Sequence, residues 1–191
     1  MKKFIEESWL VLAMGVVFAC LLAGAQTTFG PKISVNETKA MNEAIAMVVP
    51  GLDPAAELEK LDVEGSEVYR CVGTDGQLVG WAVKAEGGGF IDKITLVVGL
   101  SPDGSKVLGM KVVSHLETPG LGNKIDTKGE ENKYPLQYAG KPTAKPLELV
   151  KRPVSTDHEI QAITGATYSS QFTMDIVNDV FKRIVPNLPR E

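Results

Sequence analysis

An α+β fold is predicted by three observations. Residues 67–116 hold four strand-like runs separated by short turns, residues 169–184 carry an apolar stripe at helical spacing, and helices do not alternate with strands as a doubly wound fold requires. The predicted strands are 67–72, 77–84, 90–100 and 107–116, with 147–151 as a further short one. Thr74-Asp75-Gly76 and Pro102-Asp103-Gly104 are hairpin signals, because Gly after Asp supplies the positive φ that tight turns demand. Strands joined by such turns pair antiparallel, so the sheet is expected to be antiparallel, with helices packed on it.

Ahead of the sheet, residues 36–49 read as a helix. Ala40, Ala44, Met47 and Val48 follow helical spacing, Asn36 suits an N-cap, and Pro50-Gly51 ends the run. Residues 54–61 read as a short helical turn. In the last helix Phe172, Ile176, Val177, Val180, Phe181 and Ile184 line one face, opposite Asp175, Asn178, Asp179 and Lys182, and Pro186 is the stop. That stripe is core, and its packing would fix the start of the helix in space.

No charged residue occurs from Ser8 to Pro31. Residues 9–25 are about long enough to cross a bilayer, with Trp9 and Phe29 near the two interfaces. This reads as one permanent anchor, since the apolar run exceeds a typical signal-peptide core. Two readings compete with it: a signal peptide cleaved at Ala23-Gly24-Ala25, and a lipid-modified Cys20, for which the bulky Phe18 fits poorly. Lys2 and Lys3 on one side nearly balance Lys32 and Lys39 on the other, and the amino terminus tips the orientation toward N-terminus inside. The expected organisation is a cytoplasmic tip and transmembrane anchor over 1–30 and a folded domain over 31–191.

Composition narrows the function. The 191 residues are 43% hydrophobic and 23% charged with net charge −4, and no Lys/Arg cluster interleaves with aromatics, which argues against nucleic-acid binding. Cys20 and Cys71 make no disulfide framework, and Cys71 reads as a small core residue. Neither His115 nor His158 belongs to a set at metal-ligand spacing, so no metal site is expected. No G-x-S-x-G nucleophile arrangement occurs, and no catalytic residue is assigned. Gly87-Gly88-Gly89 lacks the following Lys-Ser/Thr of a phosphate loop and reads as a turn.

Two segments carry chemistry. Ile163-Thr164-Gly165-Ala166-Thr167-Tyr168-Ser169-Ser170 sets a Gly-loosened turn and several hydroxyls at the start of the last helix. A helix start holds anions, phosphate in particular, through its unpaired N–H groups and partial positive charge. The same residues also suit ordinary capping. Ser114-His115-Leu116-Glu117-Thr118-Pro119-Gly120-Leu121-Gly122-Asn123-Lys124-Ile125 is a shaped loop after a strand. Leu121 offers an apolar surface there, and Thr118, Asn123 and Lys124 offer hydrogen bonds. A rigid structural turn accounts for it equally well.

Together, Glu117-Thr118-Pro119-Gly120-Leu121-Gly122 and, some forty residues on, Thr164-Gly165-Ala166-Thr167 resemble the FMN-binding domain of membrane redox complexes. The family includes the G subunit of the Rnf electron-transport complex and the C subunit of the sodium-pumping NADH:quinone oxidoreductase. The resemblance covers nearly the whole chain, and the short length is more similar to the Rnf protein. It implies FMN attached covalently by a flavin transferase, through its phosphate, to the hydroxyl of Thr167. Thr164, Gly165, Ala166 and Ser169 would surround the phosphate, and Glu117, Thr118, Gly120, Leu121, Gly122 and Lys124 would form the flavin loop. It implies an electron relay among the other membrane subunits of an ion-translocating ferredoxin:NAD oxidoreductase, rather than a catalyst alone. The location implied is single-pass in the cytoplasmic membrane, with the domain outside. The rivals are the quinone-reductase protein, a stand-alone extracytoplasmic shuttle, and a non-redox anchored binding domain using the TGAT segment as a helix cap. One departure stands out: the family often has Asp three positions before Thr164, where this chain has Gln161.

Overall fold

A computed structural model of the chain describes residues 2–53, 58–126 and 133–189. The chain divides into two compact units, Met1–Ala40 and Met41–Glu191. The first consists of helix α1, whose full extent is Lys2–Val48 and whose last turns belong to the second unit. From Ser8 onward α1 is long and apolar enough to cross a membrane. Pro31 lies inside α1, where its missing N–H removes one helical bond. Thr27 and Thr28 hydroxyls donate to the Gly24 carbonyl at 3.0 and 2.7 Å. A separate helix start is expected at Asn36; Asn36 is instead interior to α1, where the polar residues after Pro31 continue the helix with Thr38 donating to the Ser34 carbonyl.

The second unit is built on a five-stranded antiparallel meander: β1 (Glu59–Val63), β2 (Ser66–Val72), β3 (Leu78–Gly88), β4 (Lys93–Leu100) and β5 (Val107–Ser114), paired in that order. The hairpins expected at Asp75-Gly76 and Asp103-Gly104 are present, with Gly76 and Gly104 at φ +74° and +71°. Strand β1 is a correction. Of the helical turn expected over 54–61, residues 54–57 lie outside the described residues, and Glu59–Val63 is an edge strand. Its charged residues hide the alternation of Leu61 and Val63, as is usual for an edge. The Glu64-Gly65 pair, both at positive φ, closes the β1–β2 hairpin as a primed turn does.

Gly87 and Gly88 are a second correction. They do not make a turn but extend β3, opposite Ile94 and Lys93. A Cβ on Gly87 would lie 2.5 Å from Ile176 Cγ1, so the missing side chain is what lets the last helix press on the strand backbone.

Helices cover both faces of the sheet. On one, α2 (Thr167–Asp179) and its continuation as a π-helical turn over Val180–Ile184 pack Met174, Ile176, Val177, Val180, Phe181 and Ile184 against Val83, Leu96, Val98 and Met110. On the other, the last turns of α1 bury Ala44, Ile45 and Val48, with Val49 just beyond the helix, against Cys71, Ala82 and Val97. Gly99 and Gly109 face each other across β4 and β5 beneath Val48, leaving room for its backbone. Residues 148–150 form a strand as expected, but in a separate parallel pair: β6 (Glu148–Val150) with β7 (Glu159–Gln161). Arg152 closes the connection by a two-point pair to the buried Glu159, at 2.7 and 3.0 Å.

Candidate functional site

Both chemistry-bearing segments fold into the same kind of turn. In Thr118-Pro119-Gly120-Leu121, the Leu121 N–H donates to the Thr118 carbonyl at 3.2 Å and Gly120 takes φ +78°. Proline second and positive-φ glycine third is the pattern of a type II turn. In Ile163-Thr164-Gly165-Ala166, the Ala166 N–H donates to the Ile163 carbonyl at 2.9 Å and Gly165 takes φ +84°. The two turns touch: a Cβ on Gly165 would lie 3.4 Å from Leu121 Cδ2.

A buried carboxylate joins them. Glu117 is 4% exposed. Its Oε1 accepts from the backbone N–H groups of Phe90 and Ile91 at 2.7 and 3.3 Å, and its Oε2 accepts from the Ser169 hydroxyl at 2.5 Å. Gly89 and Gly122 have no Cβ where one would collide with this carboxylate, so the pocket is shaped for it. Charge-assisted bonds of this type are about twice as strong as neutral ones. The Glu117 N–H donates to His115 Nδ1 at 3.2 Å, which accounts for His115 as an orienting side chain of the loop.

Ser170 holds the second turn from within. Its hydroxyl accepts from the Ile163 N–H at 3.1 Å and donates to the Ala166 carbonyl at 2.9 Å. The buried Tyr134 hydroxyl donates to the Ser170 carbonyl at 2.7 Å and lies 2.8 Å from that of Tyr138. Burial pushes both phenols above their ordinary range, so they are neutral hydrogen-bonding groups.

The residues expected at the site therefore divide by role. Thr164, Gly165, Gly120 and Leu121 are exposed on the two turns, Thr118 and Thr167 are half-buried, and Ala166 is buried. Gly122 is packed under Glu117 and Ser169. Lys124 is exposed on the short 3-10 turn Gly122–Ile125. Ser169 spends its hydroxyl on Glu117 Oε2, which leaves its backbone N–H as the group it can offer a ligand. The N-cap of α2 is Ala166 and no side chain makes a capping hydrogen bond, so the Thr167 hydroxyl, at the first helical position, is not used as a cap. Gln161, in β7, is exposed; its backbone is clasped by Gln137 at 2.7 and 3.1 Å.

Around this hub stand apolar side chains open to solvent: Phe90, Ile91, Leu116, Leu121 and Tyr168. Phe90 and Ile91 carry no sequence signal that marks them as part of the site; they arrive through the Glu117 bonds from the far end of β3. A helix start with free N–H donors beside an open apolar surface suits a ligand that joins a phosphate to a flat apolar ring. FMN has both parts, so the residues fit it. Cys71 lies elsewhere, buried, its thiol pushed up to about 12 by burial and unreactive. Among the described residues no group of three or more His, Cys, Asp or Glu could hold a metal ion.

Comparison with known proteins identifies the family. Residues 89–182 match the FMN-binding domain family, a span that begins at the glycine under Glu117 and encloses both turns. The chain is 30% identical over 185 residues to the G subunit of the ion-translocating oxidoreductase complex of Methanosarcina acetivorans, covering 93% of this chain and 92% of that one. This chain belongs to that G-subunit family. A second member, the G subunit of the Na(+)-translocating ferredoxin:NAD(+) oxidoreductase complex of Acetobacterium woodii, is 30% identical over 93% of this chain and 89% of its own. The proton-translocating counterpart from Clostridium ljungdahlii is 27% identical over 94% and 93%. A crystal structure of Shewanella oneidensis NqrC shares the fold, with TM-score 0.56 and 24% identity over 61% of this chain and 55% of that one. As a member of the G-subunit family, this chain is a membrane-anchored flavoprotein of electron transfer, and its FMN-binding domain is the one in which the two turns meet.

Proposed function

We propose that this protein is the flavin-carrying relay of an Rnf-type ion-translocating ferredoxin:NAD oxidoreductase, with FMN joined by a phosphoester to Thr167. The observation that carries the reading is the Glu117–Ser169 pin, which fixes the start of α2 beside an open apolar surface while leaving the Thr167 hydroxyl uncommitted to capping. The N–H groups of the first turn of α2, at Thr167, Tyr168 and Ser169, have no intrahelical acceptor and favour a charged phosphate ester. Thr164, exposed on the adjoining turn, supplies a further donor. Leu121 and the half-buried Thr118 offer the ring one apolar and one polar contact. When bound, FMN supplies reversible electron transfer, and the protein supplies tether, position and electrostatics.

The apolar stretch of α1 is the anchor in this reading, holding the domain on the outer face of the cytoplasmic membrane near the cofactors of the other subunits. Tethering raises the local concentration of the relay at its partners. A flavin transferase installs the ester in this reading, and Gln161 stands where the family often carries Asp. A non-redox domain that uses the TGAT segment as a cap is disfavoured, because α2 begins without a side-chain cap.

The test is intact mass and in-gel flavin fluorescence after denaturation, on protein co-expressed with a flavin transferase. A band carrying the mass of FMN less water on the Thr167 peptide supports the reading. An unmodified chain, with a control substrate modified in the same cells, overturns it. Co-purifying subunits distinguish the Rnf complex from a quinone reductase.

A further inference from the structure

The rings of Phe90 and Tyr168 stack with centroids 5.8 Å apart and planes inclined by 19°. They do so on the surface, at 61% and 68% exposure. Stacking covers one face of each ring and leaves the other in water, where an aromatic face is poorly solvated and well suited to a second flat ring. Burial does not hold the pair in place; hydrogen bonds to Glu117, from the Phe90 backbone and from the Ser169 hydroxyl next to Tyr168, do. Phe90 hangs from Oε1 through its N–H at 2.7 Å, and Tyr168 is followed by Ser169, whose hydroxyl binds Oε2. One carboxylate thus sets both rings, and Tyr168 directly follows Thr167.

We infer that Tyr168, backed by Phe90, is the aromatic platform on which the flavin ring stacks, and that its phenol is an electron donor in contact with that ring. This rests on the covalent FMN reading above. The consequence is photochemical as well as structural. A photoexcited flavin is a strong oxidant, so a stacked phenol passes one electron to it and takes the same electron back, with no net reaction and little emission. Phenylalanine keeps the stacking area but lacks the easily oxidised phenol, whereas tryptophan has both the face and the donor.

The experiment compares full-length wild type, Tyr168→Phe, Tyr168→Ala and Tyr168→Trp, each co-expressed with a flavin transferase and purified in detergent. Emission per covalent flavin and excited-state lifetime are read in the native state. A severalfold rise in both for Tyr168→Phe and Tyr168→Ala, with Tyr168→Trp near wild type, is expected. Emission from Tyr168→Phe equal to wild type, a Tyr168→Trp as bright as Tyr168→Phe, or loss of the label in Tyr168→Phe overturns the assignment. A labelled wild type with unchanged variants leaves the covalent reading standing and removes only the role of Tyr168. A wild type without label, beside a labelled control protein, removes the parent reading and this one with it.

Discussion

The Ser169 hydroxyl donates to Glu117 Oε2 at 2.5 Å, across 52 positions of sequence. That bond ties the loop after β5 to the first turn of α2, and the other oxygen of the same carboxylate ties both to the end of β3. Three chain segments therefore share one buried acceptor, and the geometry around Thr167 depends on it.

Removing that acceptor should loosen the site before it unfolds the domain. Glu117→Ala leaves the Ser169 hydroxyl and the Phe90 N–H without a partner, and is expected to cost ~2 kcal/mol or more in urea unfolding. Glu117→Gln keeps one oxygen and should cost less. Covalent flavin per chain should fall in the order wild type, Gln, Ala; equal loading in all three would show that the pin does not position Thr167.

Thr167→Ala separates chemistry from stability. The hydroxyl caps nothing, so the melting temperature should move little, by about 0.5 kcal/mol equivalent or less. In-gel flavin fluorescence should vanish. Retained covalent flavin would move the ester to another hydroxyl.

Gly122→Ala should be destabilising, because the new Cβ would lie 2.5 Å from Ser169 Oγ and 2.7 Å from Glu117 Oε2. Overpacking of this kind costs ~1–3 kcal/mol. Adding Ser169→Ala removes one of the colliding atoms, so a double-mutant cycle by denaturant unfolding should give a non-additive, partly compensating result. Simple additivity would mean that the loop yields elsewhere.

Gly99→Ala tests the opposite face. Its Cβ would collide with the carbonyl of Val48, the residue that seats the end of α1 on the sheet. A loss of about 2 kcal/mol or more is expected in thermal or urea unfolding, with flavin loading per folded chain unchanged, since the site lies elsewhere.

Acid should weaken the β6–β7 connection. Arg152, together with the Ser155 N–H and hydroxyl, holds the Glu159 carboxyl down from its ordinary 4.5 to about 2. A folded-state value below the unfolded one gives stability that is fully present above about pH 4.5 and lost as pH falls toward 2. Urea midpoints measured across that window should fall less steeply for Glu159→Gln than for wild type. Parallel slopes would exclude this carboxylate as a source of acid sensitivity.

Much of the fold is legible in order along the chain. Strands β2 to β5 stand out because glycine turns punctuate most of them. The stripe from Phe172 to Ile184 marks α2 because one face of a helix reports what it buries. Strand β1 escapes notice because an edge strand dilutes its alternation with charge. Gly87 and Gly88 look like a turn because glycine there serves a close approach of Ile176, a tertiary contact with no local signature.

Local sequence is enough for the parts: an apolar stretch of membrane length, an antiparallel α+β domain, two glycine turns rich in hydroxyls, and a threonine at a helix start. These depend on period, turn chemistry and end effects, which act over a few residues. Only long-range packing makes Glu117 brace the site from within, commits the Ser169 hydroxyl to that brace, and stacks Phe90 and Tyr168 beside Thr167. Pairings between residues 52 or 27 positions apart are set by how helix and sheet pack, and that packing leaves no periodic trace in either segment alone.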